Sequence, residues 1–417
     1  MLAPSSQAGI VRTGRSRRIL AICPNAVLAA AALGGLVWIP VLKTIGAVLF
    51  LAAGGLLLVR DVGATVKVLA RFWYVLLLPL YCLASSLWSD YPALTFRFSL
   101  QLLMTVAIAI VIATRLSPAS FHRVLFVVFL SIMAASLAAG NVRGFDGSWL
   151  GIFASKNALA AASVIFLVLT TAAAFDRSAP RMLRAVALIG LPVGLVLLVM
   201  SKSAGAVLIA GPVLATIPVL VLSRHLTTRQ GIATAALALV VFALAGALML
   251  ALREQLFAAL LETTGKDVTL TGRTDLWRIA FSHISERPFF GLGYQAFWVR
   301  TSASAEAIWR MFGIEGRGGF NFHNTYISNA VELGLIGVAI QVFLLYGALL
   351  LTAVWAIRSH RAEAACLFAL VLMVAFSSFV EVPVFFQFNI ATVNVICALV
   401  FGVRARTEAR RQPVLSA

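Results

Sequence analysis

Residues 96–113 read FRFSLQLLMTVAIAIVIA: eighteen positions with a single charge, Arg97, near the start, and with Arg115 just beyond the end. A run of this length and composition matches the roughly 20 residues with which a helix crosses a hydrocarbon layer about 30 Å thick. It is one of a series. Runs of the same kind fall at 19–39, 44–59, 69–87, 96–113, 121–139, 157–175, 183–200, 204–222, 231–252, 327–356, 362–380 and 384–402. The chain therefore predicts an all-α polytopic membrane protein with about twelve transmembrane helices.

Composition agrees. Of 417 residues, 61% are apolar and 12% charged, against about 45–50% and about 25% in soluble domains. Mean hydropathy is +1.00, which excludes a soluble globule. Cys23, Cys82, Cys366 and Cys397 all lie in apolar runs, so neither a disulfide framework nor a thiolate metal site is expected. No metal and no other cofactor is predicted. The first run follows Arg12, Arg15, Arg17 and Arg18, but it is long and a second run follows at once through Pro40 and Lys43. It reads as a retained helix, not a cleaved signal.

The charges orient the spans. With the N-terminus cytoplasmic, 20 Lys and Arg fall inside and 13 outside, and eight of those 13 lie in one long outside segment, 253–322. Long segments count weakly, so the short-loop comparison is 20 against 5, and it fixes the orientation. The acids complete a balance of +16 inside and +2 outside within the net +18. The basic excess is spread along cytoplasmic helix ends, so nucleic acid is not an expected partner and anionic membrane lipids are. The expected organisation is a cytoplasmic basic tail (1–18), spans one to nine (19–252), a large outside loop with short helices (253–326), spans ten to twelve (327–402) and a second cytoplasmic basic tail (403–417).

The long loop carries aromatic residues throughout, among them Trp277, Phe297, Trp298, Trp309, Phe320 and Phe322, and is expected to fold against the membrane surface. Thr271-Gly272-Arg273-Thr274-Asp275-Leu276-Trp277 opens a helix that Pro288, Gly291 and Gly293 end. Arg273 then lies at a helix N-terminus, where free N–H groups already favour an anion. Pairing of Arg273 with Asp275 or Glu286 is the alternative. Of five histidines, only His283 and His323 fall outside. His323 at the mouth of the bundle is a candidate general base, or an interfacial His bonded to a loop carbonyl. Lys156, Lys202 and Glu381 sit at outside helix ends, where each reads either as part of a site or as a snorkelling or topological charge. Trp277, Trp298 and Trp309 offer faces for sugar rings or for interfacial anchoring.

Four motifs now combine. Gly272-Arg273, Trp277, Pro288 and Gly291-Leu292-Gly293 precede His323-Asn324-Thr325-Tyr326 and Glu332-Leu333-Gly334-Leu335-Ile336-Gly337. Upstream stand Trp88-Ser89-Asp90-Tyr91-Pro92 with Arg97, and Gly151-Ile152-Phe153-Ala154-Ser155-Lys156-Asn157. In this order, around one large outside loop, they resemble the O-antigen ligase and polymerase superfamily, which includes exopolysaccharide polymerases. The resemblance implies a GT-C-like, metal-independent, inverting glycosyltransferase of the bacterial inner membrane, with the loop and active site periplasmic. Its donor would be an undecaprenyl-diphosphate-linked glycan and its acceptor a glycan or lipid. Polymerisation of an exopolysaccharide or O-antigen repeat is favoured over ligation to lipid A core or another acceptor.

By resemblance, His323 is the general base and Arg273 stabilises the diphosphate. Lys202, Lys156, Arg97, Asn324, Tyr326 and Trp277 are the substrate-binding candidates, and a flippase and a chain-length regulator are implied partners. One departure stands out: many members carry S-x-S-R where this chain reads Ser201-Lys202-Ser203-Ala204, a point charge in place of a bidentate fork. Twelve spans would also suit a transporter or flippase. The absence of a six-plus-six repeat and the scarcity of mid-depth charge weigh against that.

Overall fold

The computed structural model describes residues 23–411 except 145, 226, 228, 231–270 and 319. The expected ninth span (231–252), the start of the long loop and both basic tails in whole or part lie outside the described residues. Those described are almost all helical: α1 (Pro24–Val37), α2 (Thr44–Val59), α3 (Val62–Arg71), α4 (Leu77–Ala84), α5 (Pro92–Arg115), α6 (Pro118–Ala139) and α7 (Lys156–Phe175), followed by α8 (Arg181–Met200), α9 (Ala204–Leu222), α10 (Thr271–Glu286), α11 (Ala303–Met311), α12 (Thr325–Ser359), α13 (Ala362–Ser377) and α14 (Ile390–Arg411). The sole β feature among them is an isolated bridge between Val142 and Trp149.

Local chemistry sets these boundaries. Proline opens α1, α5 and α6, where its missing N–H costs nothing. Ser117, Ser155 and Asn324 cap α6, α7 and α12 with side-chain oxygens, each satisfying N–H groups that have no partner within the helix. Gly140 closes α6 in the left-handed region at φ 57°.

Among the described residues, seven helices are long and apolar enough to cross a membrane, or eight if α2 and α3, bent by 99°, form one span. Three shorter apolar helices, Pro24–Val37, Leu77–Leu87 and Ala362–Ser377, occupy other expected runs. The 69–87 run differs most from expectation. It breaks into the end of α3, a tight turn at Trp73–Val75, and α4 continued by Ser85–Leu87. Tyr81 and Ser85 along it, and Trp88 just after it, bond the backbone of the long loop at Phe289, Tyr294 and Phe290, and Tyr81 also bonds α12 at Leu333 O, so this stretch serves as a dock.

α12 is also interrupted. Gly334 sits at φ 66°, ψ −174° inside it, and the 288–293 turn inserts there. Leu292 and Gly293 donate to Val331 O and Glu332 O, while Leu335 donates to Pro288 O, at 2.8–3.0 Å. The break thus frees helix carbonyls and N–H groups that the loop then satisfies. A Cβ on Gly334 would stand 2.3 Å from the carbonyl carbon of Phe289, and one on Gly291 2.5 Å from that of Glu332. Two motifs that are separate in sequence therefore form one backbone-to-backbone junction. Above it, Leu276, Ala280, Phe297, Ile308, Trp309 and Phe322 form a small core of their own.

Candidate active site

The junction fixes the loop so that its end delivers His323 to the mouth of the bundle. His323 adopts φ 49°, a region few non-glycine residues enter, and its N–H donates to Asn321 Oδ1 at 2.7 Å. Asn324, next along, accepts from the N–H groups of Tyr326 and Ile327 and donates its amide to Phe379 O. Thr325 holds the opposite strand of chain through Ser378 O and Glu381 O. This lattice turns the imidazole onto Glu381, with His323 Nδ1 3.1 Å from Glu381 Oε2.

Glu381 is the hub. Its other oxygen lies 3.9 Å from Arg273 Nη2 and accepts from Asn157 Nδ2 at 3.4 Å, and Ser203 donates to Asn157 Oδ1 at 3.2 Å. Arg273 is in the first turn of α10, Asn157 in the first turn of α7, and His323 just precedes α12. Side chains carried by three separate parts of the chain therefore converge on one carboxylate and offset its charge. Arg273 pairs with neither Asp275 nor Glu286; Asp275 pairs with Arg278 and Glu286 with His283.

A second cluster adjoins the first, because each contributing turn supplies one residue to both. Lys156, beside Asn157, places Nζ 3.3 Å from Asp146 Oδ2, and Lys202, beside Ser203, donates to Asp146 O at 2.7 Å. Lys202 also has positive φ, 51°. Arg143 binds both Asp146 oxygens, and Ser148 donates to Oδ1 through N–H and hydroxyl. The Arg143 guanidinium first, then Ser148 and Lys156 against the cost of burial, holds the Asp146 carboxyl well below the usual carboxylate range. A carboxylate with a depressed pKa contributes stability above its unfolded value, about 4, and that contribution fades as pH falls below it. Asp146→Asn is accordingly expected to lower the melting temperature by a few degrees at pH 7, with the gap to wild type closing in scans taken from pH 5 towards pH 3.

The remaining candidates divide. Trp277 is half-buried and its indole donates to Phe322 O at 2.7 Å, tying α10 to the residue before His323. Trp309 is buried in the loop core with Trp298 packed against it. Tyr326 bonds Tyr346 through its hydroxyl at 2.8 Å. Arg97 is exposed, with its guanidinium 5.6 Å from the ring of Phe98. The structure thus brings together His323, Arg273, Lys156 and Lys202, and adds Glu381, Asn157, Asp146 and Arg143. The sequence signal for Glu381 was a lone carboxylate in the otherwise apolar run Phe379-Val380-Glu381-Val382-Pro383-Val384.

The fold and this site define a polytopic helical membrane protein whose polar chemistry is gathered at one end of the bundle. Residues 185–342 match the family described as O-antigen ligase. The chain is also 30% identical over 285 residues to the exopolysaccharide production protein ExoQ of Rhizobium meliloti (strain 1021), an alignment covering 66% of this chain and 64% of that protein. It therefore spans just under two thirds of that relative's length. Both findings support the O-antigen ligase/polymerase superfamily. The family match includes Lys202, Arg273, Trp277, His323, Asn324 and Tyr326, whereas Arg97, Lys156 and Glu381 lie outside it.

Proposed function

We propose that the chain is an inverting, metal-independent glycosyltransferase of the bacterial inner membrane, which extends a polysaccharide from undecaprenyl-diphosphate-linked glycan at the periplasmic face. The observation that carries this reading is the juncture of His323, Glu381 and Arg273 beside the Lys156–Lys202 cluster. With Nδ1 facing Glu381, the imidazole has Nε2 left to take a proton from an acceptor hydroxyl. That oxygen forms the new bond to the anomeric carbon as the bond to the diphosphate breaks, and the leaving group carries off the electron pair. Arg273, Lys156 and Lys202 offset the charge that develops on it, in surroundings poorer in water than bulk. One displacement inverts the anomeric carbon.

Arg273→Ala is expected to lower kcat/KM for the lipid-linked donor by about 10²–10³-fold, with Arg273→Lys recovering part of the loss. Steady-state kinetics in nanodiscs check both. An unchanged rate in a folded Arg273→Ala would remove this residue from the site. A second reading, ligation to a separate lipid or glycan acceptor, is favoured by the O-antigen ligase description of residues 185–342. The exopolysaccharide production role named for the relative favours polymerisation. Omitting any added acceptor separates them: a polymerase lengthens the donor glycan by itself and a ligase leaves it unchanged.

A further inference from the structure

A second built feature lies at the opposite end of the bundle. His323 precedes the first residue of α12, whereas Arg358 stands in the last turn of that 35-residue helix. α12 and α14 touch at Gly402, where a Cβ would stand 2.7 Å from Leu351 Cβ. Two cavities of about 780 and 630 Å³ flank this seam and share Leu350, Leu351, Arg406 and Arg410. Val354 and Trp355 line one, and Phe343, Leu399 and Val403 line the other. Leu350 is 66% exposed and Phe343 60%, so the walls run on into the apolar outer surface of the bundle.

The far end of the groove is cationic. Arg358, Arg361, Arg406 and Arg410 line the larger cavity with a single carboxylate, Glu408. Arg361 is paired with Glu363 at 2.6 Å; the guanidinium groups of Arg358, Arg406 and Arg410 have no ion-pair or hydrogen-bond partner among the described residues. Guanidiniums gathered at an apolar border repel one another unless an anion joins them, and their planar forks suit phosphate oxygens. Topology alone requires an excess of basic residues on one side. It does not require that they converge on a groove with apolar walls. We infer that this groove binds one anionic phospholipid, its phosphate among Arg358, Arg406 and Arg410 and its acyl chains along Phe343, Leu350 and Val354.

The test uses the full chain in nanodiscs of phosphatidylcholine alone or with phosphatidylglycerol or cardiolipin, followed by native mass spectrometry of retained lipid and by thermal melts. Wild type should retain one anionic phospholipid and melt higher when it is present. R406Q/R410Q should weaken retention about tenfold or more while melting like wild type in phosphatidylcholine. R177Q/R181Q, which removes two exposed cations from the α7–α8 connection and the first residue of α8 at the same end, should leave retention within about twofold. R358Q is read in place of the double variant if that fails to fold. No anionic preference in wild type would overturn the inference and leave the groove to another segment of the chain or a protein partner. Equal losses in the two double variants would reduce it to general surface charge.

Discussion

His323→Ala is expected to lower glycan transfer by about 10²–10⁴-fold while the protein stays folded. The side chain is 26% exposed and its hydrogen bond is to Glu381, so its removal opens no core cavity. The hydrogen bonds that shape the turn, from His323 N to Asn321 Oδ1, from Thr325 N to Ser378 O and from the Thr325 hydroxyl to Glu381 O, do not involve the ring. Glu381→Gln keeps the volume but loses the carboxylate that fixes the ring's tautomer, and should fall between wild type and His323→Ala. Turnover and melting temperature measured on the same preparations separate lost chemistry from lost fold. Full activity in either folded variant would remove that residue from the mechanism.

Gly334→Ala should have the largest structural effect. At φ 66°, ψ −174° a side chain is strained in any case, and here a Cβ would also lie 2.3 Å from both the carbonyl carbon and oxygen of Phe289. The neighbour is backbone and is held by Tyr81 and by α12 itself, so it cannot yield cheaply. A loss of about 3 kcal/mol or more is expected, together with activity, because this junction sets the base of the loop that carries His323. Gly55→Ala is the matched control: a Cβ at Gly55 meets nothing within 4 Å. Equal melting temperatures for the two variants would contradict the junction's role.

Where the sequence was legible, hydrophobic length was the reason. The runs at 96–113, 121–139, 157–175, 183–200 and 204–222 each contain the apolar part of one helix, because nothing inside them competes with the regular hydrogen-bond ladder. The 69–87 run misled because its backbone partners are loop residues far away in the chain, and hydropathy does not record them. The break at Gly334 was hidden for the same reason: a glycine within an apolar run carries no mark of its dihedral angles until Phe289 is placed against it. In the site, Arg273 was legible from a local helix start. Glu381 was not, since its role depends on Asn157, Arg273 and His323 arriving from three distant parts of the chain.

The bundle is expected to transfer sugar from a lipid diphosphate to a hydroxyl. The most direct measurement supplies purified, reconstituted protein with a single lipid-linked repeat unit and follows both products by mass spectrometry. The expected result is one undecaprenyl diphosphate released for each glycosidic bond formed, in a lengthened glycan, or in a transferred one once a second acceptor is added. Donor that persists unchanged under both conditions, in protein that is folded and melts cooperatively, would contradict it.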